Sequence, residues 1–350
     1  MTEPISVPVL PWRAATAKDV AERAGVARPT VSAVLNGAKS GTSVSSATRE
    51  RILEAARELG YRPNLAARST RSGKSRQIGL LIRNFSRSDA TRLMAHPLSY
   101  EIVCGVSDGL EDAGYLMCLM RLGDLQQALE SQNALQGHLF DGVVVVSDVH
   151  RGVIEGLEKL VRHQIWVDGN VWNAHGCVRR DEEFAARLCA QKVAEMGYKR
   201  WFALFHATSP HYSSPQRMAG LEAVARECGA QIVPVALRHA GSAEMAPLLD
   251  ELQPDDAVIA TTFYSAQTLQ NALVLHDKRP PRDFALVCCD DGFHREGSAW
   301  QELSRVSFDR YQMGFTAAQM MVEQLENGTT PPSQLLRGEW QSGRTAKHRI

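Results

Sequence analysis

From residue 77 onward the chain alternates short apolar runs with amphipathic stretches. The runs are QIGLLI (77–82), YLMCLM (115–120), DGVVVVS (141–147), HQIWVD (163–168), RWFALF (200–205), AQIVPV (230–235), DAVIATT (256–262) and FALVCCD (284–290). Near-continuous apolar runs separated by helical stretches predict parallel strands with crossover helices. A break near Val178–Asp181 divides the runs into two sets of four, which predicts two doubly wound α/β subdomains. In such sheets ligands bind beyond the carboxyl ends of the strands, so a cleft between the subdomains is expected.

Before residue 77 nothing alternates with period two. Between Ala14 and Gly60 lie three short amphipathic segments, and the third places Ile52, Ala55, Ala56 and Leu59 on one helical face. Thr16 and Asp19 form a capping-box pattern, predicting a helix from about Ala17 that buries Val20, Ala21 and Ala24 and stops at Gly25. Gly25 permits a tight turn that Val26 anchors. Pro29 is tolerated in the first turn of the next helix, which hides Val31, Val34 and Leu35. The other face of that helix carries Arg28, Thr30, Ser32, Ala33 and Asn36. Two such helices around a glycine make a helix-turn-helix, with the second shaped for a major groove; the alternative is a small helical domain with no such role.

Charge sharpens the choice. The formal net charge is zero, yet through Arg76 there are 13 Lys/Arg against 6 Asp/Glu, and beyond it 26 against 33. A basic N-terminal unit preceding an acidic body favours nucleic acid as the partner of the former. The first residues lack a sustained apolar run, so they do not read as a secretory signal, and no run approaches the roughly 18 apolar residues of a membrane span. The seven cysteines are scattered without a metal-ligand spacing, which favours buried free thiols in a reducing compartment, the cytoplasm. No GxSxG, GxGxxG or HExxH occurs. The GKS at 73–75 lacks the opening glycine and following helix of a P-loop, and His206 and His211 share a loop without further ligands. A catalytic role, a metal site and a cofactor are not expected.

AKDVAERAGVARPTVSAVLNG, then VSSATRERILEAARELGYRPNLAARS and IGLLI, resemble the LacI/GalR family of bacterial transcription regulators, and GVSDGLEDAGY, FDGVVVVS, AEMGYKRWFAL, QRMAGLEAV, DFALVCCDDG and LSRVSFDRYQMG follow in that family's order. The resemblance implies an all-α helix-turn-helix headpiece and a periplasmic-binding-protein-like core of two Rossmann-like subdomains. It further implies a homodimer on a pseudo-palindromic double-stranded operator, and a small-molecule effector, a sugar or sugar derivative, that switches DNA affinity. The expected boundaries are an N-terminal extension over 1–13, the headpiece over 14–62, a hinge over 63–76, the core over 77–341 and a tail over 342–350. Within the core, one subdomain is expected over about 77–180 and 309–328, the other over about 181–306 and 331–341. A solute-binding protein or sugar-modifying enzyme with a headpiece is the alternative; neither an export signal nor a catalytic motif favours it.

The resemblance also assigns residues. Arg28 and Pro29 stand at base-reading positions, Arg28 either pairing with a guanine edge or holding a phosphate. Thr30, Ser32 and Asn36 match positions that mostly touch the DNA backbone, and Thr16 is a further expected DNA contact. Ala27 replaces the usual N-cap serine, and Ala33 replaces a longer reader in some members. The loop NGAKSGTSVSS is about three residues longer than usual. In the core, Arg217 and Asp290 match the characteristic effector positions. Asp168 is either a ligand or a strand-end turn residue, and Ser213 a ligand or a helix cap. Thr262 and Phe263 replace an Asn-Asp pair, Phe263 serving either as a stacking face or as core. Tyr100 lies in a long segment that could cover the cleft. In PNLAARSTRSGKS (63–75), implied to become a helix in the minor groove with Ala67 among its DNA contacts, Thr70 replaces a wedging leucine, so the kink is weaker and Arg68 and Arg71 carry more of the contact.

Overall fold

The computed structural model describes residues 15–36, 44–61, 73–82, 97–121, 139–207, 211–238, 245–292 and 302–348, with backbone alone at 36, 97–99 and 121. The chain divides between Ser75 and Arg76 into two compact units.

The first unit holds α1 (Ala17–Ala24), α2 (Arg28–Asn36) and α3 (Ser46–Glu58). The Thr16 hydroxyl accepts from Asp19 N–H while the Asp19 carboxylate accepts from Thr16 N–H at 2.7 Å, so two donors that the helix itself leaves open are satisfied at once. Val20, Ala21, Ala24, Val31, Val34, Ile52, Ala55 and Ala56 form one core. Helices α1 and α3 close alike: Gly25 (φ 63°) and Gly60 (φ 60°) adopt left-handed backbone. The residue after each, Val26 or Tyr61, donates its N–H to Ala21 O or Ala56 O and lays its side chain on the core. This corrects the expected third face. Leu59 follows the helical spacing of Ile52 but is 37% exposed, because α3 ends at Glu58 and the turn at Gly60 brings Tyr61 to the core instead.

The second unit contains two six-stranded sheets. The first comprises β1 (Gln77–Ile82), β2 (Leu116–Arg121), β3 (Gly142–Val146), β4 (Gln164–Val167), β5 (Cys177–Arg180) and β11 (Gln334–Leu336), in the order β11-β5-β4-β3-β1-β2 and parallel throughout. The second comprises β6 (Arg200–His206), β7 (Gln231–Leu237), β8 (Asp256–Ala260), β9 (Ala285–Cys288), β10 (Ser304–Ser307) and β12 (Glu339–Gln341), in the order β12-β10-β9-β8-β6-β7. Only the β10–β12 pair in this sheet is antiparallel. Both sheets wind identically, and each has a buried apolar cluster on either face. Helices α4 (Pro97–Asp112), α5 (Arg151–Leu160) and α10 (Arg310–Asn327) serve the first sheet, whereas α6 (Glu182–Glu195), α7 (Ser213–Cys228), α8 (Ala246–Glu251) and α9 (Phe263–Leu273) serve the second.

The chain passes between the sheets three times: from β5 to α6, from β10 to α10, and from β11 to β12. The last passage corrects the expectation that all of 331–341 joins the second half. β11 pairs with β5, Gln334 opposite Val178, before the chain crosses. Helices α4 and α10 cross so closely that a Cβ on Gly314 would lie 2.1 Å from Ile102 O.

Candidate functional site: a charged cleft at the strand ends

Loops at the carboxyl ends of both sheets converge on a buried ionic network. Asp168 follows β4 with left-handed backbone (φ 49°), a conformation that aspartate tolerates better than most residues. Arg179 and Arg180 end β5, Asp181 caps α6, and Glu182 opens that helix fully buried. Arg217 lies one turn into α7, Asp290 and Asp291 follow β9, and Arg310 opens α10 behind its cap Asp309.

Arg180 binds Asp168, Glu182 and Asp290, each at 3.1 Å. Arg217 donates through Nε to Glu182 at 2.6 Å and through Nη1 to Asp290 at 3.2 Å and to Thr261 O. Arg310 donates to Asp290 at 2.7 Å and also to Asp291. Asp291 further accepts from Ser307 Oγ and from Phe308 N–H, so it ties down the second passage between sheets. Asp290 thereby joins three guanidiniums from three elements.

The electrostatic consequences follow from burial and pairing. Burial by itself would raise the Asp168 carboxyl, but Arg180, His211 and the Tyr212 hydroxyl outweigh it and hold the group at about 2. Burial also opposes the charge on Asp290, yet Arg217, Arg180 and Arg310 keep it below the ordinary carboxylate range. Burial and the neighbouring Asp168 charge push the Tyr212 phenol well up, so it remains a donor. Removing one member of such a buried pair strands its partner, at a cost of about 3–5 kcal/mol.

The structure brings Asp168, Ser213, Arg217 and Asp290 to this network or its edge and gives the other expected residues different surroundings. Ser213 is buried as the first residue of α7, its hydroxyl 2.8 Å from His211 Nδ1; the N-cap position belongs to Tyr212. The Thr262 hydroxyl accepts from Ser265 N–H and caps α9. Phe263 is half-buried, its ring packed against Gly292 so closely that a Cβ there would overlap it. Tyr100 stands on α4, 57% exposed. Sequence reasoning passed over Arg179, Arg180, Glu182, Tyr212, Asp291 and Arg310.

In the headpiece, Arg28 and Pro29 are exposed at the start of α2, while Thr30, Ser32 and Ala33 are half-buried on it. Asn36 ends the helix. Thr16 uses its hydroxyl in the cap of α1. Ala67, Arg68, Thr70, Arg71 and most of the long loop after Asn36 lie outside the described residues. Among the described residues no His/Cys/Asp/Glu group is arranged to hold a metal, and no helix is long and apolar enough to cross a membrane.

A basic helix-turn-helix unit and a two-sheet core with a polar, strand-end cleft define a ligand-responsive DNA-binding regulator. Residues 16–64 match the family "Bacterial regulatory proteins, lacI family", and residues 190–345 match "Periplasmic binding protein-like domain". The chain is 28% identical to the HTH-type transcriptional regulator CelR of Thermobifida fusca, over 93% of this chain and 96% of that one. It is 27% identical to the ribose operon repressor of Halalkalibacterium halodurans, covering 89% and 90%. In fold it resembles the lac repressor dimer bound to operator and an anti-inducer, with a TM-score of 0.77, 19% identity and coverage of 96% and 100%. The chain thus carries a lacI-family helix-turn-helix domain and a periplasmic-binding-protein-like domain, and its relatives are LacI-family regulators. Its relatives are transcriptional regulators and not enzymes, and it is a transcriptional regulator too.

Proposed function

We propose that the protein is a repressor that acts as a homodimer on a pseudo-palindromic operator in the bacterial cytoplasm. A neutral polyhydroxylated effector, a sugar or sugar derivative, sets its DNA affinity from the strand-end cleft. The observation that carries the effector reading is Arg217 Nη2. This nitrogen has no hydrogen-bond partner although the side chain is only 1% exposed and its Nε and Nη1 are committed. An open buried donor of this kind is costly, and a ligand oxygen would relieve it.

Charge supports a neutral ligand. Arg180, Arg217 and Arg310 face Asp168, Glu182, Asp290 and Asp291, and each is already paired, so a charged ligand would enter without a counter-ion of its own. Asp168 keeps its side chain 16% exposed, leaving a carboxylate edge for a hydroxyl, and the half-buried Phe263 ring offers an apolar face. Thr262 drops out of the ligand set, because its hydroxyl is spent on a helix cap.

Ligand binding shifts the balance between arrangements of the two core halves, which alters the spacing of the paired headpieces and so their fit to two half-sites. On DNA, Arg28 reads a guanine edge from the start of α2. Thr16, Pro29, Thr30, Ser32, Ala33 and Asn36 position the helix, and the hinge residues Ala67, Arg68, Thr70 and Arg71 engage the minor groove.

Calorimetric titration of the full chain with cellobiose, ribose and sucrose tests the effector site. One sugar is expected to saturate the unsubstituted protein and to bind Arg217→Lys about tenfold more weakly or worse, since lysine keeps the charge but loses the guanidinium fork. Equal binding to both proteins would sink the assignment.

A further inference from the structure

We propose that Tyr212 latches the two halves of the core together before any ligand arrives. Tyr212 precedes α7 and belongs to the second half, whereas Asp168, Trp172, Arg179 and Arg180 lie on or between β4 and β5 in the first. The Tyr212 hydroxyl donates to Asp168 Oδ1 at 2.7 Å and accepts from the Arg180 backbone N–H at 3.3 Å. Its ring lies 4.2 Å from the Arg179 guanidinium carbon, which is also 5.2 Å from the Trp172 ring and is held by an Nε bond to Gly169 O. The preceding residue adds a further link, His211 Nε2 to Asp168 O at 3.3 Å.

These contacts span the halves directly. They use both capacities of one hydroxyl together with a ring face, and each partner sits on a short connection between strands or at a strand end. The Arg180–Asp290 and Arg310–Asp290 pairs of the neighbouring network also cross between the halves, beside the chain passages; Tyr212 adds a crossing to Asp168, which lies off those passages. The latch rests on reading the strand-end cleft as the effector site, and it implies that the effector meets a core already drawn shut and must enter against the latch.

Small-angle scattering of the ligand-free full chain tests it. Tyr212→Phe keeps the ring on Arg179 but deletes both hydroxyl bonds, and its radius of gyration is expected to rise above that of the unsubstituted chain. A superposable curve overturns the proposal. If the Phe variant loses cooperative melting, Arg179→Met, which removes the guanidinium lying against the Tyr212 ring across the halves, decides by the same criterion, expansion supporting the latch and superposition overturning it. The sugar titration separates the two readings. Expansion of the variant with no sugar binding to the unsubstituted chain leaves the latch and sinks the effector reading; sugar binding with no expansion sinks the latch alone.

Discussion

Asp168 shows how one side chain can be charged, buried and conformationally unusual together. It accepts from Arg180 and Tyr212 and sits in left-handed backbone at a strand end. Its carboxyl titrates near 2 in the folded protein against 3.8 in its ordinary state, so the ionised form is bound more tightly by the fold. The sign follows: its contribution to stability is full above about pH 4 and is lost as pH falls toward about 2. Asp290, depressed as well, adds to the same acid loss. Urea unfolding of the core between pH 5 and pH 2 is expected to show a falling midpoint below pH 4. Asp168→Asn should lower the neutral-pH plateau and flatten the fall; an unchanged slope would show that Asp168 is not so held.

Arginines explain what was illegible at this scale. Arg217 and Asp290 were found through family motifs, whereas Arg179, Arg180 and Arg310 were not singled out. Burial of Arg180 and Arg310 depends on carboxylates that only the fold brings within reach, and that of Arg179 on Gly169 O and the Trp172 and Tyr212 rings. The available signal was the sequence RRDEE at the expected subdomain break, opposite charges packed against a helix start.

At the scale of elements, the apolar runs located β1 to β4 and β6 to β9: six of these are interior strands whose side chains bury on both faces of the sheet, whereas β2 and β7 are edge strands that kept apolar runs although they are half exposed. β5 escaped because half of its four residues are arginine, and β11 and β12 because edge strands of three residues leave little pattern. The headpiece was legible through caps and glycines, with one miss at the end of α3, where a left-handed glycine exchanges Leu59 for Tyr61. Tyr61→Ala is expected to destabilise the headpiece by about 2 kcal/mol and Leu59→Ala by less than about 0.5 kcal/mol. Hydrogen exchange of the α3 amides in the full chain reads both, and the reverse ranking would mean that α3 runs on through Leu59.

For the whole molecule, segregation of charge and repetition of one winding were enough to separate a DNA-reading unit from a ligand-holding body. Thirteen basic residues against six acidic ones through Arg76 favour phosphate contacts, whose strength falls steeply with salt. What sequence alone did not reveal is that most of the cleft's charges are satisfied by one another, which is the ground on which a neutral effector is proposed. The most direct test of this account is the affinity of the full chain for a genome-selected palindromic fragment, measured at fixed salt with and without a saturating sugar that binds the core. The account predicts a change of about fivefold or more on adding the sugar; the same affinity with and without it would contradict ligand-switched DNA binding.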